Sequence, residues 1–300
     1  MSRSNIGIIT AFISDTYEPE MRSKGMAVVG ISYSFAFLLG PIFGVYLSNK
    51  FNDNSAKSQI LACTCLIFNL ISLMPLLKLK ENKVISKIYS NISLINPVKM
   101  IQFTYVTKPE VRNRLRYYAL SYFAFIVSFS GLETGLIHIG DDVYKYNSRD
   151  QGCMFSLIGI IMIFLQGSIL RRQKSFSNKA LILISFLCLA IAFICIGFVL
   201  NVHTVFVIGQ IFFAITSSLY VPSMNSQLSL IGDANSQGLT MGVFRSLNAL
   251  SRSIGPMVIS LLLWTFGIRM TVIFMAAFVI ILGIDFKLRN HFTIDVKRKK

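Results

Sequence analysis

The chain has 300 residues, of which 54% are hydrophobic and only 14% charged, with 29 Lys and Arg against 13 Asp and Glu. So little polar residue cannot coat a soluble globule, and the composition places the chain in a bilayer. The net charge of +16 does not signal nucleic acid, because the basic residues form clusters separated by apolar stretches rather than one continuous face.

Crossing a hydrocarbon core takes about 20 apolar residues. The first apolar run, residues 4–14, is too short to cross and lacks the pattern of a cleavable signal, so it reads as the tail of an incomplete helix. A polar turn follows, in which Asp15 and Arg22 flank Glu18 and Glu20. Such a pair can latch helix ends together or simply sit in water, where it contributes about 0–1 kcal/mol. Full spans are expected at 24–48, 57–77, 116–139, 152–170, 179–200, 203–224, 239–264 and 267–286. Pro222 inside one of them frees a carbonyl and bends the helix. Cys63, Cys65, Cys153, Cys188 and Cys195 all fall inside spans without metal-type spacing and read as small packing residues, so neither metal nor cofactor is expected.

The long connection at 78–115 divides residues 1–77, with two full spans, from a six-span group at 116–290, and 291–300 form a basic tail. Val84, Ile85, Ile88, Ile92 and Ile95 recur in the connection at near-helical spacing among lysines. That pattern fits a helix lying in the membrane interface and equally a lysine-rich tether. Nine Lys and Arg lie between Lys78 and Arg116 and six between Lys287 and Lys300, whereas the opposite side has only Lys50, Lys57, Lys145, Arg149 and Arg269. Basic residues concentrate in short cytoplasmic loops, so the long connection and the C-terminus are expected in the cytoplasm. The sequon at Asn91 lies in that connection and is expected to be unused.

One phrase occurs twice: Asp15, Arg22, Gly25, Gly30 and Gly40-Pro41 are echoed by Asp233, Gly238, Gly242 and Gly255-Pro256. Spaced glycines and a Gly-Pro step let a helix entering lipid pack closely on a neighbour, and repeated halves point to a transporter. If the halves correspond, about a hundred residues that precede the second copy have no counterpart before the first, and they are expected to be missing at the N-terminus.

Ionisable groups inside spans normally face a bundle interior and mark a pathway. Arg245 and Arg252 are two turns apart on one helix face, with Asn248 between them. Arg245 is near enough to its helix end to snorkel, while Arg252 is near mid-span and fits a cavity that holds an anion or a counter-charge. Glu133 is the only carboxylate deep in a span. It can take up and release a proton as a solute moves, or it can be half of a permanent pair with an arginine such as Arg252, or reach water beside His138. Gln166, Gln210 and Asn225 lie at membrane depth, where they could bind a solute or bond neighbouring helices.

These features resemble the major facilitator superfamily, from the second part of its fourth helix to the end of its twelfth. Asp15, Arg22 and Gly25 are similar to its turn between helices four and five, and Ala27, Ala36, Gly40-Pro41 and Gly44 to the antiporter-type motif of its fifth helix, with two glycines changed to alanine and Val45 in place of a last glycine. Phe129-Ser130-Gly131-Leu132-Glu133, the run from Gln166 to Arg172 and the run from Arg245 to Pro256 together resemble the tetracycline-transporter-like branch, the group of eukaryotic major facilitator domain-containing protein ten. Gln166-Gly167 with Arg171 and Arg172 resembles a worn second-half copy of the superfamily's cytoplasmic Gly-Arg loop.

The resemblance implies an all-α membrane bundle, here about eight full helices and a partial one equivalent to helices four to twelve. It implies secondary transport of a small organic solute, an organic anion or drug-like compound, by alternating access in the plasma membrane or an endomembrane. Arg252 would be the anion partner, with Gln210, Asn225 and Asn248 as neutral contacts, and Glu133 the coupling acid if protons drive transport. Asp15, Arg22, Gly40, Pro41, Gly167, Arg171, Arg172, Asp233, Arg245, Gly255 and Pro256 would serve gating or structure. No covalent chemistry is expected, and no phosphate-binding GxxxxGK[ST] loop occurs. The competing reading is a scaffold or incomplete product derived from such a transporter that moves nothing.

Overall fold

The computed structural model describes residues 9, 13, 19–50, 54–76, 101–172, 177–198, 202–231 and 237–298. Among these the regular structure is entirely helical: α1 (Pro19–Lys50), α2 (Asn54–Leu76), α3 (Pro109–Asp142), α4 (Ser148–Arg172), α5 (Asn178–Phe198), α6 (His203–Ser229) and α7 (Gln237–Arg298). A straight helix of the 62 residues of α7 would run about 93 Å, three times a hydrocarbon core. It reverses instead at Gly267, whose φ of 71° and ψ of 173° are open to glycine and strained for other residues. The residues after Gly267 run back along α5, with Val272 against Gly197 and Gly283 against Phe186. The seven described helices therefore give eight rods, and the described part of each expected span falls on one of them.

Six described stretches are long and apolar enough to cross a membrane, and the last, Gly238–Arg289, has 52 residues, enough for two crossings. α2 adds the shorter run Ala62–Ser72. Trp264, Phe164 and Met257 are 85%, 73% and 71% exposed, and the chain is a multi-pass membrane protein whose outer apolar surface faces lipid.

Helices extend past the apolar runs that announce them. α3 begins at Pro109 rather than 116, because proline suits the first helical position and the helix continues through polar residues where hydropathy falls. α7 likewise continues to Arg298, through most of the expected tail. Residues 101–108, expected to belong to the long connection, fold against α3 and α7. Phe103 is fully buried against Phe244, and the Tyr105 hydroxyl is 3.0 Å from Thr240 Oγ1. Arg112 donates twice to the Val106 carbonyl and Arg116 to that of Gln102. Burial pushes the Tyr105 pKa up to about 12, so this hydroxyl keeps its proton at any physiological pH. Asn91 and the rest of the connection lie outside the described residues, as do Asp15 and Asp233.

The core lies among α3, α5, α6 and α7. Phe125 stacks on Tyr220 with centroids 3.4 Å apart, Phe129 on Phe213 at 4.6 Å, and Phe186 meets Phe125 edge-on at 5.0 Å. These pairs fix α3 and α6 as antiparallel neighbours. α1 packs antiparallel on α4, where an added Cβ on Gly159 would come 2.7 Å from Leu38 N and one on Gly152 would come 2.5 Å from Val45 Cγ2. Across that seam Ser34 Oγ donates to Gln166 Oε1 at 2.8 Å, both side chains being buried.

Candidate functional site

α3 and the first arm of α7 run in the same direction and touch backbone to backbone at Gly131 and Gly255. A Cβ on Gly255 would overlap Ser130 Oγ and stand 2.6 Å from the Val127 carbonyl oxygen, and one on Gly131 would stand 3.2 Å from the Gly255 carbonyl oxygen. Pro256 follows, and since it has no N–H it leaves the carbonyl of Arg252 without its usual helical donor.

Close approach at this crossing brings the polar groups of both helices together. Arg252 Nη2 donates to Glu133 Oε2 at 2.6 Å. One turn earlier on α7, Asn248 Nδ2 donates to Tyr122 Oη at 2.6 Å, and Ser130 Oγ lies 3.3 Å from the Ser251 carbonyl oxygen. Arg252 is fifteen residues from both Gln237 and Gly267, midway along its arm. The arginine and glutamate side chains keep 28% and 18% exposure, so the pair is accessible rather than sealed. Tyr122 touches two helices, bonding Asn248 of α7 and stacking on Tyr220 of α6 at 5.9 Å. Glu133 is eleven residues, or three turns, beyond Tyr122 and lies on the same edge of α3. The charge pair therefore joins α3 to α7 on the edge of α3 that faces α6 three turns nearer its start.

Glu133, Arg252 and Asn248 are thus gathered in one place. Gln210 is buried on α6. Asn225 is half-buried on the same helix, fifteen residues from Gln210 or about 22 Å along the axis, near the Asn178–Ser226 hydrogen bond at the other end. Arg245 is two turns before Arg252 and partly exposed. Gly40 has nothing within 4 Å of an added Cβ, nor has Gly167, while the Pro41 carbonyl lies near Gly152. Arg22, Arg171 and Arg172 are on helices, but their side chains are outside the description. Sequence reading missed Tyr122, Ser130, Ser251 and Tyr220. Ser130 and Ser251 had a signal, since each stands within four residues of the glycine its helix uses at the crossing.

An apolar helical bundle with a partly exposed charge pair midway along its helices is the architecture of a polytopic membrane protein of the transporter type. The Major Facilitator Superfamily model matches residues 4–176, more than half of the chain, and the chain belongs to that family. Major facilitator superfamily domain-containing protein 10 of Mus musculus is 31% identical over 275 residues, covering 89% of this chain and 60% of that protein. The Homo sapiens protein of the same name is 31% identical over 277 residues and the Bos taurus one 29% over 279. The chain spans 60% of the length of each of these relatives. A crystal structure of the human organic anion transporter MFSD10 (TETRAN) superposes with a TM-score of 0.76 at 27% identity, covering 95% of this chain and 68% of that one.

Proposed function

We propose that this protein moves a small organic anion across a membrane by alternating access, with Arg252 as the anion partner and protons as the coupling ion. The observation that carries the reading is the Arg252–Glu133 pair, partly exposed at mid-helix between α3 and α7. A closed ion pair is neutral overall and offers an incoming anion little attraction. Protonation of Glu133 changes that, because a neutral carboxyl no longer holds the guanidinium and Arg252 becomes free to take the anion. Proton and anion then load together at one site, and loss of the proton restores the pair and expels the anion. The similarity to an organic anion transporter supports the choice of charge. Asn248, tethered to Tyr122, would keep the α3–α7 wall in register.

On this reading the basic end of α3 and the C-terminus are cytoplasmic. Asp15, Arg22, Arg171, Arg172 and Asp233, with Arg245 as an anchor, would serve the turns and helix ends that part and close there. The test is uptake of radiolabelled organic anions, benzoate among them, by vesicles carrying the purified chain, with and without an imposed pH difference. Accumulation that follows the pH gradient supports the reading. Folded protein that binds but never accumulates the anions favours the scaffold instead.

A further inference from the structure

Phe206, Gln210, Phe213 and Tyr220 recur at helical spacing and so share one side of α6. Three of these are rings already in contact, Phe206 with Tyr144 at 4.9 Å, Phe213 with Phe129 at 4.6 Å and Tyr220 with Phe125 at 3.4 Å. Gln210 is the polar member. It lies one turn from Phe213 towards the start of α6, and because α3 runs the other way that turn is level with Leu132 and Glu133. Glu133 in turn lies on the edge of α3 that Tyr122 shows to be shared by α6 and α7. Gln210 therefore stands at about the height of the Glu133–Arg252 pair, on the helix whose rings stack on that stretch of α3.

Its amide is unusual for that position. Gln210 is 2% exposed, Nε2 is shut off from solvent, and it has no hydrogen-bond partner among the described residues. A buried donor left unpaired opposes folding, and a leucine would fill the same space among the rings without that penalty. An amide retained there is explained by an acceptor that arrives and leaves.

We propose that Gln210 Nε2 donates to the solute and selects it: the site takes an oxyanion with at least two acceptor oxygens, one held by Arg252 and the other by Gln210. Arg252 offers only donors, and Gln210 presents its donor end, so once Glu133 is protonated the site favours acceptor-bearing anions and disfavours ammonium compounds. This rests on the transport reading and deepens it by naming the second contact and the chemistry it recognises.

The experiment uses the full chain in nanodiscs, with binding of radiolabelled acetate, benzoate and 1-naphthoate measured beside the melting temperature. Gln210→Leu should lower affinity for the bound anions by about five- to tenfold while leaving the melting temperature equal or higher, because the unpaired donor is gone. Gln210→Glu should lose more affinity than Gln210→Leu, since it sets a carboxylate against the anion. Unchanged affinity in Gln210→Leu overturns the proposal while leaving the transport reading intact. A fall in melting temperature together with affinity assigns Gln210 to helix packing and overturns it too. If the unsubstituted chain binds none of the three anions, the anion reading itself fails and this inference goes with it.

Discussion

Replacing Gly255 with alanine tests whether the crossing of α3 and α7 sets the geometry of the charge pair. The new Cβ would lie 2.6 Å from the Val127 carbonyl oxygen and 3.0 Å from Gly131 N, both backbone atoms that cannot turn aside. Restoring an ordinary contact requires the helices to part by roughly 0.8 Å. One turn away, the same displacement would stretch the 2.6 Å bond between Arg252 and Glu133 beyond good hydrogen-bond reach. Overpacking of this kind costs roughly 1–3 kcal/mol, and at roughly 2–4 °C per kcal/mol the melting temperature should drop by several degrees. Gly40→Ala is the matched control, because its Cβ would meet nothing within 4 Å and alanine is the better helix former. Thermal unfolding of both variants in nanodiscs, followed by anion binding, measures the difference. Adding Ser130→Ala to Gly255→Ala should recover only part of the loss, since the hydroxyl is removed but the Val127 carbonyl stays. Equal melting temperatures for Gly255→Ala and Gly40→Ala would refute the reasoning.

Three further outcomes follow from the site. Arg252→Ala removes the guanidinium that Glu133 accepts from and should destabilise the chain by roughly 1–3 kcal/mol, between the limits for exposed and fully buried pairs, while the double variant Arg252→Ala/Glu133→Gln should regain most of it by thermal unfolding. Glu133→Gln should still exchange anion for anion across vesicles but should not accumulate it under a pH difference; normal pH-driven accumulation would exclude Glu133 as the coupling acid. Single cysteines placed at 141–150 in a Cys-free variant should react with an impermeant thiol reagent from outside the cell, and cysteines at 101–108 should not; the reverse labelling would invert the orientation.

The rods of this fold were legible because the solvent outside them is lipid. A helix in hydrocarbon need not show an amphipathic stripe, so an uninterrupted apolar run is signal enough, and even the single-residue reversal at Gly267 falls at the edge of the span expected to begin there. Glu133 and Arg252 were legible for the same reason, as charges that an apolar run does not tolerate without a purpose. Whether they formed a pair was not, because that depends on the azimuth at which α3 meets α7.

The two Gly-Pro steps show most clearly where one-dimensional reading stops. Gly40-Pro41 and Gly255-Pro256 are the same words in sequence, yet only Gly255 has a neighbouring backbone where a side chain would go. On α1 and α4 close approach is delivered instead by Gly152 and Gly159, which lack any Gly-Pro phrase. A glycine's role belongs to the helix opposite it, and that helix is found only when the bundle is assembled. The separation of Asn225 from Gln210 is the contrary case: fifteen residues on one helix already place them about 22 Å apart, too far for one small solute to touch both, and this could have been derived from their numbers alone. What assembly adds is an azimuth, since Tyr122, by bonding α7 and stacking on α6, shows that the edge of α3 on which Glu133 stands faces α6 three turns nearer its start.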